Sequence, residues 1–283
     1  MKDTFFPKKK VLNVRGKMWV MQSPVVMGIL NLTPDSFYDG GKYDSVPKVM
    51  EQASRLYEEG AFILDLGAYS SRPGAAEVSQ EEEWDRLKGI IRSIKEQFPD
   101  KLLAVDTFRS EIAYRSLQEG VDIINDISGG FLDHKIWKIA ADHKAPYIAM
   151  HMKGTPTTMQ QLAQYANLTI EVLDYFVDLI RQARREGLAD LILDPGFGFA
   201  KTMEQNYELL NQLDILKPLQ TPVLVGLSRK SMVYKSLGAD PSEALNGTTA
   251  LHMAALLKGA DILRAHDVKE ALESITLYHK IRG

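Results

Sequence analysis

A chain of 283 residues with 45% hydrophobic content can bury one large core, and its net charge of −3 makes no general electrostatic case for nucleic acid or anionic lipid as a partner. The absence of cysteine excludes disulfides, thiolate nucleophiles and thiolate metal sites, and fits a cytoplasmic protein. No apolar stretch approaches the ~18 residues that span a bilayer, and MKDTFFPKKK lacks the apolar centre of a signal peptide, so no membrane partner is expected.

Residues 1–24 read as an N-terminal extension. Lys8-Lys9-Lys10 is expected to be a solvated tail, and VLNVRGKMWV can pair as a β-ribbon around Arg15-Gly16-Lys17, placed to plug a barrel floor. From Val25 onward, eight short β-branched, apolar runs stop at polar or Gly-rich turns. They read VVMGILNLTPDSF, FILDLGAYSSRPG, LLAVDTFRS, DIINDISGG, PYIAMHMKGT, LILDPGFGFAKT, PVLVGLSRKS and ADILRAH. Buried parallel strands have this composition, and amphipathic stretches separate them. The pattern predicts one α/β domain over 25–283, a (β/α)8 TIM barrel whose reactive groups sit where strands end.

Between the runs, Ser79 to Glu82 reads as a capping box, and Asp240-Pro241-Ser242-Glu243 combines a cap, a proline at the first helical position and a reaching Glu. TIEVLDYFVDLIRQARREG places Leu173, Phe176, Val177 and Ile180 on one stripe before Gly187 stops the helix. A doubly wound sheet is the alternative. GFGFAK, from Gly196 to Lys201, holds only two of the three fingerprint glycines such a fold needs for phosphate.

The strand ends carry the chemistry. Asn31, Asp106, Asn125, Asp194, Lys230 and His266 would face one mouth. A strand-end Asp can instead cap the next helix. Three amide or carboxylate groups together can read a heterocycle with a donor-rich edge: a 2-amino-4-oxo pyrimidine offers paired N–H groups, which one carboxylate takes as it takes a guanidinium. Asp194 is the choice for that carboxylate. Arg72 offers a planar fork for an oxyanion, SRKS offers Lys230 and a helix start at Ser231, and Arg264 and His266 share a strand face. No histidine pair has metal-binding spacing, and no G-x-S-x-G elbow appears; His151 is expected near the rim.

In their order, NLTPDSF, SSRPG, VDTF, IND, MHMKGTP, DPGFGFAKT, GLSRKS and RAH resemble the dihydropteroate synthase family, the sulfonamide target of folate biosynthesis, from about Val25 to the C-terminus. The resemblance implies condensation of 6-hydroxymethyl-7,8-dihydropterin pyrophosphate with p-aminobenzoate, giving 7,8-dihydropteroate and pyrophosphate. It implies that Asp106, Asn125, Asp194 and Lys230 hold the pterin. Asn31 would ligate Mg²⁺ on the pyrophosphate, with Arg72, Arg264 and His266 completing the anion pocket. Ser71, Pro73, Phe199, Lys230 and Ser231 would receive p-aminobenzoate, and Asp39 would stabilise the cationic methylene carbon from a closing loop. On this reading, the pterin and pyrophosphate halves of the mouth are separable by mutation.

Family members commonly form homodimers, and NGTTALHMAALLKGA suits such a contact as well as it suits core packing. Tyr38, Tyr69 and Ser71 depart from the family pattern, where position 69 usually holds Glu and position 71 Thr. A pterin-binding methyltransferase barrel would share the pterin carboxylates without needing the anion pocket. A non-catalytic pterin binder would need neither Mg²⁺ nor pyrophosphate release.

Overall fold

The computed structural model describes residues 10–32, 45–69, 78–154, 158 and 162–283. It opens with an antiparallel ribbon, β1 (Lys10–Val14) and β2 (Lys17–Met21). Arg15 and Gly16 make its turn with φ of 51° and 89°, the two positive angles that match a two-residue hairpin to the strand twist. Lys10 corrects the expectation of a solvated tail. Its ammonium meets the Asp261 carboxylate at 2.5 Å, because the ribbon lies beside the entry to the last strand. Lys8 and Lys9 lie outside the described residues.

Eight parallel strands follow: β3 (Val25–Asn31), β4 (Ile63–Gly67), β5 (Leu102–Asp106), β6 (Ile123–Asp126), β7 (Tyr147–Met150), β8 (Leu191–Asp194), β9 (Leu224–Val225) and β10 (Ile262–Ala265). Hydrogen bonds order them β8-β7-β6-β5-β4-β3-β10-β9, and a parallel bridge from Leu193 to Val223 joins the two ends. The fold is the expected (β/α)8 barrel, built from the eight apolar runs. Each run is buried on both faces: in β4, Ile63 joins the inner cluster while Leu64 and Leu66 join the outer one, under the helices.

The inner floor takes one side chain from every barrel strand: Met27, Ile63, Ala104, Ile123, Ile148, Ile192, Leu224 and Ile262. Leu12 and Met21 of the ribbon complete that cluster. Side chains alternate along a strand, so the residue two positions on points inward again. Those positions are Ile29, Asp65, Asp106, Asn125, Met150, Asp194, Gly226 and Arg264. The register alone therefore sets a polar layer above an apolar floor.

The helices are α1 (Ser45–Glu58), α2 (Gln80–Leu87), α3 (Ile90–Gln97), α4 (Ser110–Gln118), α5 (Lys135–Asp142), α6 (Leu168–Arg185), α7 (Met203–Asn211), α8 (Ser231–Ser236), α9 (Leu245–Lys258) and α10 (Val268–Arg282). Two local expectations change. Ser79 accepts from the Glu82 N–H at 3.2 Å, but the Glu82 carboxylate turns to Arg86 at 2.6 Å, so only half of a capping box forms. In α6 the buried stripe is Val172, Phe176, Leu179, Ile180 and Ala183, leaving Leu173 only partly buried. The Tyr175 hydroxyl, on the same helix, donates to the Met150 carbonyl at 3.1 Å. Among the described residues, no helix is long and apolar enough to cross a membrane.

One buried group in α9 gives the fold a pH dependence. His252 is 1% exposed, and neither ring nitrogen has a partner among the described residues. Burial lowers its pKa from 6.5 to about 4. The unfolded chain therefore takes up this proton first as pH falls. Stability from this site is complete above pH 6.5 and drains away toward pH 4, by about 3 kcal/mol in all. His252→Leu should cancel that loss. Denaturant titrations at pH 7.5 and 5 should show the wild type losing about 2 kcal/mol more than the variant. Equal losses in the two proteins would contradict the assignment.

Candidate active site

The polar layer is bound together across strands. Arg264, on β10, donates from Nε to Asp65 Oδ2 at 2.6 Å and from Nη2 to Asp106 Oδ2 at 3.1 Å. Asn125, on β6, donates to the same Asp65 oxygen at 3.0 Å. Asp65 is fully buried, and its Oδ1 has no hydrogen-bond partner among the described residues. Burial, with the Asp65 charge beside it, pushes Asp106 up to about 8 even though Arg264 opposes the shift. Arg264 stays charged between the two carboxylates. Two carboxylates hold the Nε/Nη2 edge of the guanidinium.

Across the barrel, Asp194 ends β8 and accepts the Gly196 N–H at 2.8 Å on Oδ1. Burial raises its pKa, and Lys230 opposes that most strongly. Gly226 gives no side chain to the layer, and Lys230 fills that gap from four residues on: its Nζ lies 3.7 Å from where a Cβ on Gly226 would be. The same Nζ donates to the Phe197 carbonyl and sits 4.9 Å from the centre of the Phe199 ring. Burial lowers Lys230 to about 8, with Asp194 holding it up.

The loop after Asp194 winds around a second lysine. Gly196, Gly198 and Ala200 have φ of 70°, 82° and 47°, and a Cβ at Gly196 would sit 2.1 Å from the His151 carbonyl oxygen. Lys201 is 4% exposed, and its Nζ lies 3.0 Å from the Gly196 carbonyl, 3.1 Å from that of Phe199 and 3.0 Å from His151 Nδ1. Burial pulls Lys201 down to about 7 and keeps His151 neutral. His151 therefore packs behind the site at 2% exposure, which corrects its expected place on the rim.

Above this layer, Asn31 ends β3 beside Gly67, and its Oδ1 is 3.2 Å from where a Gly67 Cβ would stand. His266 and Ser228 pair through Nδ1 and Oγ at 3.1 Å, and the Ser228 hydroxyl also accepts the His266 N–H at 3.2 Å. Arg229, at φ 56°, forms a two-point ion pair with Asp267. Ser231 is exposed and begins a helix of only six residues, a weaker anion site than the sequence suggests.

The structure thus brings Asp106, Asn125, Asp194, Lys230 and Arg264 together, with Phe199 against Lys230 and with Asn31 and His266 at the strand ends. Asp39, Ser71, Arg72, Pro73 and Tyr38 lie outside the described residues. Arg264, expected in the anion half of the mouth, is hydrogen-bonded to Asp106, expected in the pterin half. Sequence reasoning missed Asp65 and Lys201. Asp65 lies two positions after Ile63 just as Asp106 lies two after Ala104, a correspondence that shows once the strand register is known. Among the described residues, no three acidic or imidazole side chains form a metal cluster.

Residues 27–266 match the pterin binding enzyme family. The dihydropteroate synthase of Synechocystis is 48% identical over 253 residues, spanning 88% of this chain and 87% of that protein. Among solved structures, a Yersinia pestis dihydropteroate synthase with a sulfonamide drug complex superposes with a TM-score of 0.88 at 38% identity, over 96% of this chain and 98% of that one. The Xanthomonas albilineans dihydropteroate synthase in complex with 7,8-dihydropteroate gives 0.86 at 33% identity, over 96% and 99%.

Proposed function

This chain belongs to the dihydropteroate synthase family of pterin binding enzymes, and on that premise we propose how its residues carry out the family's reaction. It is a transferase that condenses 6-hydroxymethyl-7,8-dihydropterin pyrophosphate with p-aminobenzoate, yielding 7,8-dihydropteroate and pyrophosphate. The observation that carries the residue assignment is the polar layer itself: Asp65, Asp106 and Asp194 interleaved with Arg264, Lys230 and Lys201 at one end of an apolar barrel.

Asp194 has Oδ2 to offer the paired N–H groups of the pterin, since Gly196 occupies Oδ1. Asn125 and Asp106 meet the rest of the ring. Asp106 carries a proton at neutral pH and can donate as well as accept. Arg264, through Nη1, and His266 bind the pyrophosphate, and Arg72 joins them from outside the described residues. Phe199 and Ser231 line the p-aminobenzoate position with Ser71 and Pro73. As the C–O bond to pyrophosphate breaks, the methylene carbon becomes cationic, and the carboxylates of the layer, with Asp39, stabilise it. The neutral arylamine attacks that carbon without a strong base, which accounts for a site lacking a histidine–nucleophile pair.

Mg²⁺ fits the donor set as the partner of a substrate rather than of a protein cage. The amide oxygen of Asn31, which lies over Gly67 where any side chain would crowd it, would be one hard ligand, and magnesium commonly takes its others from phosphate and water. When bound, it would neutralise the leaving pyrophosphate. We place a homodimer contact on α9, whose Leu257 is 49% exposed; sedimentation of the purified chain tests this.

Purified protein with both substrates and Mg²⁺ should release pyrophosphate and form dihydropteroate, with sulfonamides competing against p-aminobenzoate. Folded protein that releases none would defeat the reading. The pH profile follows from two groups. Lys230 and Asp106 both titrate near 8, and each loses a proton as pH rises, so the site loses one positive charge and gains one negative charge facing an anionic substrate. The kcat/KM for the pterin pyrophosphate should therefore fall above pH 8. A value constant or rising to pH 9.5 would contradict it.

A further inference from the structure

Lys201 has no step of its own in the reaction as read above, yet it is a buried cation beside the pterin layer. It stands two residues before α7 and is 4% exposed. Its three ammonium hydrogens have three acceptors: the Gly196 carbonyl at 3.0 Å, the Phe199 carbonyl at 3.1 Å and His151 Nδ1 at 3.0 Å. No hydrogen is left for a ligand. Any effect of Lys201 on the substrate therefore passes through the groups it holds.

Those groups lead directly to the pterin site. Gly196 is bonded in two directions: its carbonyl accepts from Lys201, and its N–H donates to Asp194 Oδ1 at 2.8 Å. Further along the same loop, the Phe197 carbonyl accepts from Lys230, and the Phe199 ring lies 4.9 Å from the Lys230 ammonium. Left-handed backbone at Gly196, Gly198 and Ala200 gives the curl that brings carbonyls 196 and 199 to one ammonium. Two neutral bonds fix the rest of the loop. The Gly198 N–H donates to Asn206 Oδ1 at 2.7 Å, and the Ala200 carbonyl accepts from the Tyr165 hydroxyl at 2.9 Å.

We propose that Lys201 is a positioning residue for the pterin acceptor: by gripping the Gly196 and Phe199 carbonyls it holds the Gly196 N–H that fixes the Asp194 carboxylate, and so governs pterin recognition from behind the site. This rests on the reading that Asp194 accepts the paired N–H groups of the pterin. A carboxylate that must meet two N–H groups at once tolerates little rotation, and a small misplacement is costly. The Gly196 N–H locks one of its oxygens, and Lys201 keeps that peptide in place. The ammonium also acts through its charge. Burial disfavours ionised Asp194, and Lys201 joins Lys230 and Arg264 in favouring it.

Steady-state kinetics of the full chain with Mg²⁺ and both substrates test the proposal. Lys201→Met, which removes the donors and keeps an unbranched side chain, should lower kcat/KM for the pterin pyrophosphate roughly 30-fold. Lys201→Gln retains N–H donors without the charge and should recover part of that loss. A cycle with Asp194→Asn separates positioning from packing. The double variant Lys201→Met with Asp194→Asn should stay within about two-fold of Asp194→Asn alone, whereas independent effects would multiply. His151→Phe removes the third acceptor but spares the grip on the loop, because an ammonium that titrates at about 7 can shed one proton and still donate twice. The new ring has aromatic neighbours in Tyr175 and Phe176, and the loss should be far smaller than in Lys201→Met.

Calorimetry with a pyrophosphate-free pterin should give the same ratio between wild type and Lys201→Met, and reads the grip without turnover. Should Lys201→Met not fold, Lys201→Gln takes its place in the cycle. The proposal is overturned if the folded variant keeps wild-type kcat/KM and pterin affinity, or if the losses in the cycle multiply. It is equally overturned if His151→Phe costs as much as Lys201→Met. A wild-type protein that makes no dihydropteroate would instead sink the reading of the reaction, and the calorimetry would still decide the role of Lys201.

Discussion

Arg264→Met is expected to abolish condensation, lowering kcat/KM roughly 10³-fold or more, and to weaken a pyrophosphate-free pterin as well as the pyrophosphate ester. The reason is the double bond to Asp65 and Asp106. Removing the guanidinium takes away a cation for the leaving group and leaves two neighbouring carboxylates facing each other. Breaking a buried pair in this way costs about 3–5 kcal/mol of stability. The cost should sit at the low end near neutrality, because Asp106 already titrates high and can stay protonated.

The pH dependence has a definite sign. With Arg264 gone, the Asp106 pKa in the folded state rises further above its unfolded value, so stability is lost as pH climbs through the higher value. Denaturant unfolding of Arg264→Met should therefore show a larger deficit against wild type at pH 9 than at pH 6. Arg264→Met with Asp65→Asn should recover much of the stability and none of the turnover. A single variant that keeps wild-type stability at both pH values and still binds bare pterin would remove the triad from the site.

The barrel was legible because each buried parallel strand is an apolar run with an abrupt polar end. The end marks the mouth, so Asp106, Asn125, Asp194, Arg264 and His266 could be assigned to one place from the sequence alone. Asp65 escaped because it lies inside its run, FILDLG, with Leu64 and Leu66 on either side. It becomes visible only when the inner positions of all eight strands are aligned, which needs the register. Lys201 escaped for a different reason. Its motif, GFGFAK, reads in sequence as an incomplete phosphate turn, whereas the glycines let the backbone curl around a buried ammonium. Such wrapping has no sequence period. In α6 the buried face takes in Val172, Leu179 and Ala183 and leaves Leu173 partly exposed, a choice between neighbouring apolar positions that hydrophobic spacing does not encode.

Asp194→Asn separates shape from charge at the centre of the pterin site. The substitution is close to isosteric, and the asparagine oxygen can keep the bond to the Gly196 N–H. That bond then commits Nδ2 to face the ligand, so a donor meets the paired N–H donors of the pterin where a carboxylate oxygen accepted them. A site built to pair a polar edge rejects a mismatched one by orders of magnitude, because both partners are desolvated without compensation. Lys230 suffers too: Asp194 is the charge that holds its pKa up against burial, so in the variant more of it is neutral at pH 8. Affinity for a pyrophosphate-free pterin, measured by calorimetry, should fall roughly 10³-fold. The alkaline decline of residual kcat/KM should move to lower pH. Folding should not suffer, since burial already penalises the Asp194 charge. The melting temperature is expected to equal or exceed that of the wild type. Binding within ten-fold of wild type, with the alkaline limb unmoved, would show that Asp194 is not the pterin acceptor.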